Sequence, residues 1–216
     1  MSDAPTAPDR LVAVIARRPL AATLWIAVVL AIPIVFYLRH RPAPLPVLAT
    51  LPAWRLTDQA ARPFGSDQLR GRAYVANFMF TSCPTVCPVL SRHLARVQSS
   101  TAALGDRLHL VSISVDPVVD TPARLTEYGH RYGFDPRRWH FVTGEAAALQ
   151  RIAAEGFRVG LGQLPSTAEG RAPNFNILHS ANLMLVDGDG RMRGIYRADD
   201  EGLADLTREA RALVGR

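Results

Sequence analysis

Lysine is missing from this chain of 216 residues: all 25 of its basic residues are arginine. Cysteine is nearly missing, with two in the whole chain. Two cysteines exclude a disulfide-rich scaffold, and they exclude a zinc framework of paired Cys-x-x-Cys units, which needs four. Charged residues make up only 20% of the chain against 48% hydrophobic ones, a balance that excludes wholesale disorder and supplies a packed core. Internal repeats and low-complexity tracts are absent. The length suits one ordinary domain with additions and is short for two.

The formal net charge is +6. Residues 1–41 carry five Arg and two Asp, so half of the excess lies around one hydrophobic segment. The remainder is spread thinly, with no arginine cluster interleaved with aromatic residues, and this argues against nucleic-acid binding.

That hydrophobic segment, Leu20 to Leu38, is a run of 19 residues without a charge. As a helix it extends about 28 Å, enough to cross the core of a bilayer. Arg17 and Arg18 precede it, and Arg39, His40 and Arg41 follow. Pro33 inside the run is tolerated by membrane helices, and Trp25 and Tyr37 stand toward its ends as interface aromatics do. Val47-Leu48-Ala49 has the small-residue look of a signal-peptidase site, but it lies eleven residues past a run longer than a signal peptide needs. The reading is an uncleaved single-pass anchor over 20–38. A short cytoplasmic tail over 1–19 precedes it, because a brief Arg-bearing tail tends to stay inside. Residues 39–50 form a stiff Pro-rich linker, and 51–216 an exported domain. The tail, with two Asp, is a poor mitochondrial transit peptide, which makes a bacterial plasma membrane the expected home, with the large domain on its periplasmic side.

Within 51–216 the pattern alternates between strands and helices. Tyr74 to Phe80 is rich in strand formers and apolar enough to be central. Val86, Leu90, Leu94 and Val97 then mark one face of a helix. Leu108 to Val115 reads as a second buried strand, and Thr121-Pro122 as the cap and first turn of a helix running to about Tyr132. Ala181 to Val186, the turn Asp187-Gly188-Asp189-Gly190 and Met192 to Tyr196 read as an antiparallel hairpin. Leu203, Leu206, Ala210 and Leu213 mark a closing helix. This order predicts a three-layer α/β domain with a mixed central sheet, and cysteines directly after the first central strand make it thioredoxin-like. Residues 160–177, rich in Gly, Pro and Asn, read as a long functional loop that ends at His179.

The strongest chemical signal is Thr81-Ser-Cys83-Pro-Thr-Val-Cys87-Pro88. Positions four apart are neighbours on a helix, so Cys83 and Cys87 face the same way at a helix N-terminus, where the dipole and free N–H groups favour thiolate. Two such thiolates suit a soft ion such as Cu(I), and they can also close a disulfide. A purely structural bridge over so small a loop gains little loop entropy.

At this octapeptide the chain resembles the Sco/SenC copper proteins of cytochrome c oxidase assembly. The resemblance covers most of 51–216 and extends to Leu69-Arg70-Gly71-Arg72, to Ser112-Ile-Ser-Val-Asp116-Pro-Val-Val-Asp120-Thr-Pro122, and to His179-Ser180 before Ala181-Asn-Leu-Met-Leu-Val-Asp187. It implies that copper is held by Cys83, Cys87 and His179, and that the chain helps to metallate the binuclear copper site of the oxidase. The partners it implies are the copper-bearing oxidase subunit, other copper carriers, thiol reductants and the plasma membrane. Two positions depart from the family pattern. Pro84-Thr85-Val86 stands where an acidic residue often lies between the cysteines, and Leu178 stands where Asp often precedes the histidine. Both changes remove negative charge.

The remaining candidates read as structural. Asp116 ends a strand before Pro117, Asp120 precedes the Thr121 cap, and both shape the loop beside the cysteines. Met79 and Met184 fall in strand patterns and read as core. His40, His93, His109, His130 and His140 read as ordinary core or surface residues. A non-enzymatic copper chaperone is thus the first function expected. A thiol–disulfide oxidoreductase, with Cys83 attacking and Cys87 resolving, is the alternative. The Cys-x-x-x-Cys spacing, one residue longer than the usual redox motif, weighs against that alternative. So does the lack of a proline between Pro173 and Ala181, where thioredoxins place a cis-proline.

Overall fold

The computed structural model describes residues 19–39, 44–158 and 182–215. The chain divides into two units, Met1–Pro44 and Leu45–Arg216. In the first, helix α1 spans Pro19–Arg39 with Pro33 inside it. Its described large side chains, among them Leu24, Trp25, Val29, Ile32 and Phe36, are exposed all round. The side chains at its two ends lie outside the described residues, and over the described residues alone no helix is long and apolar enough to cross a membrane.

In the second unit the described strands form one eight-stranded sheet. They are β1 (Ala49–Thr50), β2 (Arg55–Asp58), β3 (Pro63–Gly65), β4 (Ala73–Met79), β5 (Leu108–Ser114), β6 (Trp139–Thr143), β7 (Asn182–Val186) and β8 (Arg191–Arg197), in the order β1-β8-β7-β4-β5-β6-β2-β3. The pairs β4–β5 and β5–β6 are parallel and the others antiparallel, so the sheet is mixed. Every residue of β4, β5 and β6 is buried, as expected of mostly apolar strands covered on both faces. The helices are α2 (Val86–Ser100), α3 (Pro122–Arg131), α4 (Ala146–Arg151, continuing as a π-helix over Ile152–Phe157) and α5 (Asp200–Val214).

Strand alternation separates the two faces. Asn77, Ser112 and Phe141 share one face, where Tyr128 of α3 packs edge-on against Phe141 at 5.9 Å and its hydroxyl meets Ser91 of α2 at 2.9 Å. Helix α5 joins α2 on that side through Arg96–Asp200 at 2.7 Å. Phe78 points to the opposite face and meets Phe157, the last residue of the π-helix, at 5.4 Å. The mixed α/β architecture thus has helices on both faces of the sheet. The predicted strands and helices appear within a residue or two of their expected ends, and Thr121 caps α3 by accepting from the Arg124 N–H. Beyond the sequence reading lie the β2–β3 hairpin, β6, α4 with its π-helical end, and β1, whose Ala49 and Thr50 fall within the expected linker 39–50 but pair with β8 because Ala49 is buried against the sheet. Ala181 and the loop 160–177 lie outside the described residues.

Several polar groups inside the core are satisfied by long-range partners. Trp139 Nε1 donates to Ser112 Oγ at 3.0 Å, which donates to Asn77 Oδ1 at 2.8 Å. The nine-tenths buried Arg138 donates to the carbonyls of Gln98, Thr101 and Leu108, placing its charge at the C-terminal end of α2 where the dipole favours it.

Candidate metal centre

Central strand β4 ends at Met79, a six-residue loop follows it, and α2 begins at Val86. Cys83 lies in the loop and Cys87 in the first turn of α2; both are buried and both thiols are free. Thr85 precedes the helix but its side chain accepts no capping hydrogen bond. The Cys83 sulfur takes that place: the Cys87 N–H donates to it at 3.4 Å. Sulfur thus satisfies a donor that a helix start otherwise leaves open.

This geometry makes the two thiols unequal. Burial alone would raise the Cys83 pKa, but hydrogen bonds from the N–H groups of Cys87, Thr85 and Val86 and from the Cys87 thiol outweigh it and hold it below the ordinary thiol value. Cys87 is pushed up to about 12, first by deeper burial and then by Cys83 and Asp120 nearby. A sulfur that ionises readily and a second within reach of it form a soft donor pair that fits Cu(I). Among the described residues no group of three or more His, Cys, Asp or Glu side chains gathers to hold a metal ion. His179, the third ligand expected, lies outside the described residues, as does Leu178.

The family model described as SCO1/SenC matches residues 45–214. The chain belongs to the SCO1/SenC family. A Stutzerimonas stutzeri protein named for copper binding is 36% identical over 158 residues, which cover 71% of this chain and 72% of that protein. The SCO1 homologue of Bacillus subtilis is 26% identical over 140 residues, 64% of this chain and 69% of that one. Among solved structures, the copper-bound ScoI of Bradyrhizobium japonicum matches with a TM-score of 0.60 at 28% identity, over 74% of this chain and 99% of that one. A BsSco structure matches with a TM-score of 0.68 at 22% identity, over 81% and 99% of the two chains, which shows the shared fold.

In this SCO1/SenC chain the two aspartates shape the loop, as their sequence positions suggested. Asp120 is fully buried and accepts from Thr81 N–H at 3.1 Å, Thr81 Oγ1 at 2.5 Å and Ser114 Oγ at 2.6 Å. Asp116 donates its N–H to Ser114 Oγ and accepts from Val119 N–H through its carboxylate. Met79 and Met184 are core residues.

His109 and His140 are buried, and they form a pair that the sequence did not announce. His109 Nδ1 and His140 Nε2 are 3.1 Å apart, and His109 Nε2 faces the Asp106 carbonyl and carboxylate at 3.1 Å. Those acceptors place the His109 proton on Nε2, so His140 Nε2–H donates to a bare His109 Nδ1 and His140 Nδ1 is left unprotonated. That nitrogen has no hydrogen-bond partner. Phe64 stacks on the His140 ring at 4.2 Å. Burial lowers the pKa of both, that of His140 to about 4, with His109 adding to the effect.

Proposed function

We propose that this chain is a copper carrier, anchored by 20–38 in a bacterial plasma membrane, that holds Cu(I) or Cu(II) on Cys83, Cys87 and His179. Its cargo would go to the binuclear copper site of cytochrome c oxidase. The observation that carries the reading is the free, buried thiol pair one helical turn apart, with the Cys83 sulfur held by backbone donors. Kinship supports it. The Stutzerimonas relative is named for copper binding, the Bradyrhizobium relative was solved with copper bound, and BsSco is described as a member of a family of cytochrome c oxidase assembly proteins.

In this reading Cys83 is the entry ligand, because its sulfur ionises more easily than that of Cys87. Cys87 completes a two-sulfur site on binding and gives up its proton to solvent. The imidazole of His179 supplies the nitrogen donor that Cu(II) requires. The anchor rests on the apolar run and on α1, whose described side chains present no polar face to a protein core. In this topology 1–19 stays in the cytoplasm, the stretch before Leu45 spaces the domain from the bilayer, and the domain from Leu45 onward works on the periplasmic side with the oxidase copper subunit, other copper carriers and thiol reductants as partners. The test is the copper content and absorption spectrum of the full chain in mild detergent, with reductant and without. A Cys83→Ser, Cys87→Ser double variant should stay folded and bind no copper; equal copper in both proteins overturns the reading.

One observation favours the second reading, a thiol–disulfide oxidoreductase acting on exported cysteines. The low-pKa thiol beside a high-pKa one is the pattern of an attacking and a resolving cysteine. Turnover of a disulfide-bonded peptide with dithiol reductant, unaffected by a copper chelator, would favour it over the carrier.

A further inference from the structure

We propose that Asp120 is a positioning residue for the thiol pair, clamping the loop that carries Cys83. The inference rests on the reading of Cys83 and Cys87 as copper ligands. Asp120 belongs to the turn that leads into α3, and none of its exposed surface remains. A buried carboxylate persists only where hydrogen bonds replace its water. Here the donors are few and concentrated: the N–H of Thr81 at 3.1 and 3.2 Å from its two oxygens, the Thr81 hydroxyl, and the Ser114 hydroxyl. Both Thr81 groups sit two residues before Cys83 in sequence and 39 residues before Asp120.

Arg124 of α3 closes the arrangement by donating from Nε to Thr81 Oγ1 at 3.0 Å. The Thr81 hydroxyl therefore accepts from Arg124 and donates to Asp120, with no rotation left to it. At its other end the same loop is fixed by the first turn of α2, where the Cys87 N–H meets the Cys83 sulfur. The segment between is short and carries Pro84. Held at both ends, Cys83 keeps its sulfur over the helix start. Released at Thr81, it would have to recover that alignment each time an ion arrives, and apparent affinity falls by the fraction of molecules found aligned. Both thiols are free in the structure, so the clamp is one of the dithiol state.

The test uses the full chain in detergent with two readouts: Cu(I) affinity by competition with a chromophoric chelator, and the dithiol–disulfide equilibrium against reduced and oxidised dithiothreitol in metal-free buffer. In the second, two thiols lose two protons and two electrons to the oxidised reagent as the protein disulfide forms. Asp120→Asn and Thr81→Val should each weaken Cu(I) binding at least about tenfold, as loss of supporting partners around a metal site does. They should also move the equilibrium toward the disulfide by at least about threefold, which is about 14 mV for a two-electron couple at roughly 30 mV per tenfold. Thr81→Ser, which keeps the hydroxyl, should stay within about twofold of wild type on both, below what the supporting-shell range would register. Thr101→Val, which removes a buried hydroxyl that donates to Val97 and accepts from Arg138 at the far end of α2, should move neither readout and controls for general loosening.

If Asp120→Asn folds and matches wild type on both, the inference is overturned; it is overturned equally if Thr81→Ser behaves like Thr81→Val or Thr101→Val reproduces the losses. Should Asp120→Asn fail to fold, the two Thr81 variants decide. A wild-type chain that binds no copper overturns the carrier reading, while the disulfide equilibrium still judges the clamp.

Discussion

The Cys87 N–H donates to the Cys83 sulfur across 3.4 Å, so the helix start caps itself with a thiol. The second cysteine of the pair lends its backbone to the first and keeps its own sulfur buried. That division separates the two thiols chemically although they are four residues apart.

The first prediction follows directly. At pH 7 iodoacetamide should modify Cys83 well before Cys87, at least about tenfold faster, because the thiolate is the reactive form and Cys87 holds its proton. Peptide mass spectrometry of briefly treated full-length protein reads the order. Equal rates would mean that the backbone donors do not set the Cys83 pKa.

The second concerns acid. The folded pKa of His140 is depressed to about 4 from 6.5, and that of His109 is lowered as well. A histidine buried in its neutral form contributes stability that is fully present above its unfolded pKa and is lost as pH falls through 6.5 toward the folded value. The two rings share one hydrogen bond and are faced by Asp106, Asp58, Arg62 and Arg72. Protonating His140 would leave its Nδ1–H with no acceptor. Between pH 7 and pH 4 the His140 contribution should fall by roughly 3 kcal/mol. His140→Phe should be less stable than wild type at pH 7 by urea unfolding, and the gap should close as pH falls. A gap independent of pH sinks the argument.

The contrast between these two sites shows what a sequence makes legible. The cysteine octapeptide, the Thr121 cap and the Asp187–Gly190 turn are local, so spacing and residue type suffice to place them. The pairing of His109 with His140 joins β5 to β6, and no pattern along the chain connects them. Strand β6 has a good signal in Trp139-His-Phe-Val-Thr143, but it is only five residues long and sits after a Pro- and Arg-rich turn. Its partner β2 is fixed by contacts such as the Phe141 N–H on Gln59 Oε1, 82 residues away. Pro63 argues against a strand until β3 is seen to be the edge, where a missing N–H costs nothing. Asp120 was readable as a loop-shaping residue from its place before the α3 cap; that it shapes the Cys83 loop depends on a partner 39 residues away.

The third prediction is a stabilising change. Ala61 turns the β2–β3 hairpin with a φ of 58°, in the left-handed region where a Cβ is strained. Its side chain is exposed, so nothing is lost by removing it. Ala61→Gly should raise stability by ~0.5–1 kcal/mol, relief of the strain outweighing the added freedom of the unfolded chain. Thermal unfolding of the two proteins side by side checks it, and an unchanged or lower midpoint would show the turn to be unstrained.

The last prediction separates the two functional readings at His179. Two thiolates can hold Cu(I) without help, because the ion is soft and accepts low coordination. Cu(II) demands more ligands, favours nitrogen or oxygen among them and oxidises unprotected thiolates. The imidazole therefore matters most for the oxidised form. His179→Ala should keep some Cu(I) binding, lose stable Cu(II) absorption and support oxidase assembly poorly. Its fold should survive, since on the sequence reading His179 closes a loop, and loop residues contribute little to the core. A dithiol exchange protein would behave in the opposite way, with intact thiol chemistry and no copper defect. The comparison is Cu(II) absorption of the purified chains, together with oxidase activity in a deletion strain carrying wild type or His179→Ala. Equal values for both proteins remove the three-ligand site and put the oxidoreductase first.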